Sequence, residues 1–192
     1  MHPEASRKLL DMLTEVSIRY LVGQVRAGAQ LLQVFDSWAG ELAPHTFNEF
    51  ALPCLRKIAR DVRQHLTEAG LEPVPMIVFA KGARPFSNEA GRCRSGRVLT
   101  RDPQPYSLPL LYPAGAHYAL AELADSGYDV VGLDWTIDHR VARAAVGDRV
   151  TLQGNLDPCT LYATPEVIRA EVAAMLQRYG ARAGVSVAVG RS

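Results

Sequence analysis

An α/β fold built on parallel strands is what this sequence predicts, and two observations carry the prediction. Four short β-rich runs, AQLLQVF (29–35), VPMIVFAK (74–81), VVGLDW (130–135) and VTLQGNLDP (150–158), each end on or close to a polar residue. Each is followed, directly or after a loop, by a stretch with helical periodicity, and near-continuous apolar runs of this length are the mark of strands buried in a parallel sheet. In such folds ligands gather at the carboxyl ends of the strands. Ser37, Lys81, Asp134 and Asn155 are therefore expected on one face. Helix capping and salt bridges between loops would account for the same residues.

Taken in order, residues 3–23 open with a helix on which Leu9, Leu10, Leu13, Val16 and Leu21 recur near helical spacing, so this stripe is expected to pack on the first strand. The first run then stops at Asp36 and Ser37. Residues 43–70 read as a loop and a long helix, with Phe47, Phe50, Leu55, Ile58, Val62 and Leu66 inward and Gly70 placed to end it. The charges from Arg56 to Arg63 read as a solvated face. Pro73 and Pro75 flank the entry to the second run, where a missing N–H does least damage.

Residues 82–115 break this order: no period persists, and five of the chain's twelve prolines fall there. So long a stretch without structure inside an ordered core reads as an interruption. The βα grammar then resumes with a short helix over 117–126, the third run, a helix over 138–145 and the fourth run. A longer helix over 164–179 has Thr164 as N-cap, Pro165 at its first position and Glu166 in its first turn. The last residues, ARAGVSVAVGRS, are expected to fray.

The 192 residues carry 21 basic and 20 acidic side chains, and no basic run interleaves with aromatics, so nothing points to nucleic acid. The three cysteines, Cys54, Cys93 and Cys159, lie far apart without a Cys-x-x-Cys pair, which fits a reducing compartment. The sequence predicts no membrane span and no signal peptide, hence a cytosolic protein.

His2, His45, His65, His117 and His139 show none of the spacings that place metal ligands on one face, so no metal is expected. Neither a Gly-x-Ser-x-Gly elbow nor a P-loop is present. Asp36 and Ser37 do not form a dyad, because adjacent strand residues point to opposite faces. Phe35, two residues before Ser37, is expected on the same face as a wall beside its hydroxyl. GNLDP (154–158) builds a turn at a strand end that reads first as shaping the rim and only second as part of a pocket, and Trp135 reads as core or as pocket wall.

The segments YLVGQV, GAQLLQVFDSWAG, FALPCL, VPMIVFAK, GYDVVGLDW and VTLQGNLDPCTLYA closely resemble the C-terminal half of the animal uroporphyrinogen decarboxylase family. The resemblance implies the C-terminal part of a (β/α)8 TIM barrel, incomplete and with an irregular insertion. It further implies a cytosolic homodimer and cofactor-free conversion of uroporphyrinogen III to coproporphyrinogen III, by decarboxylation of four acetate side chains in haem synthesis. It extends over 1–180, is interrupted by 83–115, and leaves 181–192 as a tail foreign to the family. Joining Lys81-Gly82 to Ala116-His117 restores AKGAHYALAELA, so 83–115 reads as inserted, with retained intron sequence as its proposed origin.

Two residues match the family's site: Ser37 a substrate-contacting serine, and Phe35 a pocket phenylalanine. The family's arginine-rich segment, its aspartate facing the pyrrole N–H groups, its site tyrosine and its late histidine have no counterpart here, so no catalytic residue is assigned and the chain alone is expected to be inactive. With open edges, it is also expected to have poor stability of its own. Two other readings are a non-catalytic chain that pairs with a full-length subunit and a barrel of the cobalamin-linked methyltransferase type. The absence of metal-binding His and Cys patterns argues against the last.

Overall fold

The structure, a computed structural model, describes residues 2–81 and 117–179. The expectations for the insertion at 83–115 and the tail at 181–192 fall outside the described residues.

Helix α1 (Pro3–Arg26) has its proline in the first turn, where the lost N–H has no helical partner in any case. It buries Thr14, Ile18, Leu21 and Val22 against α3. The expected stripe is here corrected. Leu9, Leu13 and Val16 are 57%, 53% and 64% exposed, and Met12 and Tyr20 join them on the open side. The helix carries two apolar stripes about half a turn apart, and periodicity does not say which one meets the core.

Strand β1 (Leu32–Asp36) leads through a 3₁₀ turn (Ala39–Glu41) and the short α2 (Pro44–Thr46) into a wide π turn (Phe47–Ala51). This runs on into α3 (Leu52–Glu68), which buries Leu52, Leu55, Ile58, Ala59, Val62 and Leu66. Gly70, at φ +69°, takes the left-handed conformation just past the helix end, as expected. The charges of α3 do more than meet solvent, correcting the sequence reading. Lys57 bridges Glu15 of α1 and Asp61, Arg56 pairs with Glu122, and Arg63 binds Asp129.

After β2 (Met76–Ala80) come α4 (His117–Ala124), β3 (Val130–Gly132), α5 (His139–Val146) and β4 (Thr151–Gln153). A 3₁₀ turn (Pro158–Tyr162) then leads to α6 (Pro165–Tyr179). Asp138 caps α5 by accepting the Arg140 N–H at 2.7 Å. The entry to the sheet is clamped by Asp129, whose carboxylate accepts the Met76 N–H and an Arg63 N–H, both at 2.8 Å.

The four strands form one parallel sheet in the order β1-β2-β3-β4. Leu32, Met76, Val78, Val131 and Leu152 enter the core shared with the helices. Strand alternation therefore turns Gln33, Phe35, Ile77, Phe79, Gly132 and Gln153 to the opposite face. Among the described residues β1 and β4 each have one neighbouring strand, so both outer edges of the sheet are open.

Candidate functional site at the carboxyl ends of the strands

Register places Phe35, Phe79, Gly132 and Gln153 on one rung, the last that all four strands share, with Asp36 and Ala80 paired one step beyond it. The rings of Phe35 and Phe79 meet edge to face with centroids 5.9 Å apart. A Cβ on Gly132 would lie 2.9 Å from Cδ2 of Phe79. The glycine thus leaves the space in which the Phe79 side chain lies, and Phe35 beside it is 65% exposed. Gln153 is buried at the other end of the rung.

Ser37 follows β1 in an exposed turn, one residue past the strand, so the alternation that would seat it beside Phe35 no longer governs it. Asp36 is half-buried. Burial pushes its carboxyl above the usual range, opposed by the backbone N–H groups of Trp38 and Ala39 that it accepts. The turn is tied to the next strand: Lys81 donates its N–H to the Asp36 carbonyl at 3.0 Å, and Gly40 donates to the Lys81 carbonyl at 2.9 Å. The Lys81 ammonium lies 5.6 Å from the centre of the Trp135 ring, a cation–π distance that links the ends of β2 and β3.

The other two strand-end residues take structural work. Asp134 is buried and accepts both the N–H and the hydroxyl of Thr136, at 2.7 and 2.6 Å. Asn155 donates its amide hydrogens to the carbonyls of Asp134 and Ile137, at 3.0 and 2.7 Å, and accepts the Tyr179 hydroxyl at 3.3 Å. Both amide hydrogens of Asn155 are committed to the loops, which favours the rim reading over the pocket one. Gly154 before it is obligatory: φ is +118°, and a Cβ would stand 2.8 Å from the Leu133 carbonyl oxygen.

Helix α6 ends over this same region. Its Tyr179 packs against His139 with ring centroids 5.3 Å apart, and Trp135, His139, Asp157, Met175 and Arg178 help line a cavity of about 180 Å³. In a repeating βα unit the helix after a strand returns to the amino end of the sheet. Here its last turn stays at the carboxyl end. Among the described residues no group of three or more His, Cys, Asp or Glu side chains is placed to hold a metal.

Sequence reasoning missed the rung itself, Gln153 included. The signal was present in the spacing of Phe35 and Phe79 from the ends of their runs, but only register aligns one strand with the next. The Lys81–Trp135 contact joins positions from two separate runs, and no local pattern announces it.

Sequential parallel strands, helices on one face and an aromatic rung near the carboxyl ends of the strands are the architecture of part of a (β/α)8 barrel. Comparison with known proteins narrows it. The family model described as uroporphyrinogen decarboxylase (URO-D) matches residues 1–105 and 97–190. The chain is 47% identical over 181 residues to uroporphyrinogen decarboxylase of Danio rerio, covering 94% of this chain and 40% of that protein. With the Homo sapiens enzyme identity is 48% over 178 residues, covering 93% and 40%. With that of Schizosaccharomyces pombe it is 46% over 180 residues, covering 93% and 41%. The chain belongs to the uroporphyrinogen decarboxylase family, and it spans about 40% of the length of these curated relatives.

Proposed function

We propose that this chain supplies the carboxyl-half wall of a uroporphyrinogen decarboxylase site and does not decarboxylate uroporphyrinogen alone. The observation that carries the reading is the rung of Phe35 and Phe79 at the mouth of the sheet, next to the turn holding Ser37, in a chain 48% identical to an enzyme of that name. Phe35 offers an apolar wall for a macrocycle face. Ser37 offers one hydroxyl to a substrate polar group.

The reaction requires protonation of a pyrrole carbon, stabilisation of the cationic ring as CO₂ leaves, and cations to pair with the substrate's carboxylates. Lys81 is one such cation at the mouth, and it already faces Trp135. A substrate carboxylate desolvated without a partner costs several kcal/mol. The Ser37 hydroxyl contributes about 0.5 to 1.5 kcal/mol as a net hydrogen bond. One hydroxyl and one lysine fall short of the requirement.

The test is coproporphyrinogen formation by the purified chain, free of host enzyme. No product is expected. Turnover that disappears in Ser37→Ala would overturn the reading by revealing a complete site within the chain.

A further inference from the structure

Lys81 stands just above the aromatic rung. Ala80 before it enters the core, and the Lys81 N–H still pairs with the Asp36 carbonyl at 3.0 Å, so the alternation of the sheet runs one residue past β2. That puts Lys81 on the face of Phe79, whose ring meets Phe35. The two carboxylates at the neighbouring strand ends are otherwise engaged. Asp36 accepts the N–H groups of Trp38 and Ala39, and Asp134 accepts the N–H and hydroxyl of Thr136. Among the described residues no carboxylate pairs with the Lys81 ammonium, and the group it faces is the Trp135 ring, 5.6 Å away.

A ring in place of a carboxylate decides what this lysine can do. An ion pair would neutralise it, whereas an aromatic face orients an ammonium and leaves its charge in place. A lysine stem is long and flexible, and directing it costs rotamer freedom when a ligand binds. A fixed platform removes part of that cost in advance. Trp135 is fixed in this sense, because its loop is hydrogen-bonded on both sides of it. Asp134 grips Thr136 at 2.7 and 2.6 Å, and Asn155 donates to the carbonyls of Asp134 and Ile137 at 3.0 and 2.7 Å.

We propose that Trp135 is a positioning residue: its ring stations the Lys81 ammonium over the rung of Phe35 and Phe79, where Lys81 binds a carboxylate arm of a porphyrinogen whose macrocycle lies against Phe35. The proposal rests on the reading of this mouth as a uroporphyrinogen decarboxylase wall. It adds which residue of the wall holds a carboxylate and what holds that residue in place. The hydrogen bonds of Asn155 and Asp134 then serve binding through Trp135.

Two porphyrins added to the full chain test it, with binding followed in the porphyrin absorption: coproporphyrin, which carries carboxylates, and a porphyrin bearing uncharged polyether arms. Both should bind. Lys81→Met should weaken coproporphyrin by about fivefold at low salt and flatten its salt dependence, with the uncharged porphyrin unaffected. Lys81→Arg should preserve both. Trp135→Leu should weaken coproporphyrin alone, and Trp135→Phe, which restores a ring for the ammonium, should recover most of the loss. A Trp135→Leu variant that loses both porphyrins together would show a structural role and overturn the proposal. So would binding of the uncharged porphyrin alone, or coproporphyrin binding indifferent to Lys81→Met, and either result leaves the wall itself standing. If neither porphyrin binds, the wall reading fails and the proposal fails with it.

Discussion

Phe35 and Phe79 stand on the same rung of neighbouring parallel strands with their rings edge to face, and the next residue along that rung is a glycine. Gly132 is there because the Phe79 ring needs its space: an added Cβ would lie 2.9 Å from Cδ2 and 3.2 Å from Cβ of Phe79. Gly132→Ala should therefore cost about 1 to 3 kcal/mol by overpacking. In combination with Phe79→Leu the loss should be smaller than the sum of the two. Urea unfolding of the four proteins in the cycle measures it.

Two other glycines should respond in opposite directions. Gly154→Ala meets the Leu133 carbonyl oxygen at 2.8 Å with φ at +118°, a conflict with backbone that no side-chain movement relieves. It should lower the melting temperature sharply. Gly23 lies within α1, with ordinary φ and nothing within 4 Å of an added Cβ, so Gly23→Ala should stabilise by about 0.5 to 1 kcal/mol. Thermal unfolding of both variants gives the signs.

The pH dependence of stability should show two carboxylates pulling against each other. Hydrogen bonds from Arg60 and then Lys57 hold Asp61 down to about 2, so the fold favours its ionised form. Its contribution is complete above the ordinary aspartate value and is lost as pH falls toward about 2. Asp61→Asn should destabilise at neutral pH, with the difference closing in acid. Asp36 is the reverse: burial raises it, so the fold favours the protonated form and is penalised as pH rises through the folded value. Asp36→Asn keeps an acceptor for the Trp38 and Ala39 N–H groups, and should stabilise at neutral pH but not in acid. Melting temperatures against pH separate the two.

Much of this architecture was legible in the sequence because it is written locally. The four runs became four parallel strands, Phe47, Leu55, Ile58, Val62 and Leu66 face inward as read while Phe50 stays half-buried under Arg7, and Gly70 ended its helix. What was misread depended on neighbours. Of the α1 stripe assigned to the core, Leu21 does enter it, whereas Leu9, Leu13 and Val16 share the helical period but stay exposed, and Ile18 and Val22 join Leu21 against α3. Arg56, Lys57 and Arg63 looked like solvated charge because Glu122, Glu15 and Asp129, their partners, lie far away in sequence. At the site, Ser37 was marked by its place after a strand and Phe35 by alternation, with their roles taken from a resemblance, whereas their relation to Phe79, Gly132 and Gln153 required register.

The most direct test of the central claim, that this chain is the carboxyl-half wall of a uroporphyrinogen decarboxylase, is a transplant. In the human relative, the stretch matched by this chain, about 40% of that enzyme, is replaced by residues 1–82 joined to 116–180. Coproporphyrinogen formation by the purified chimera is then measured. The account predicts turnover, reduced when Ser37→Ala is introduced into the transplanted segment. A chimera that is soluble and unfolds cooperatively but forms no coproporphyrinogen would contradict it.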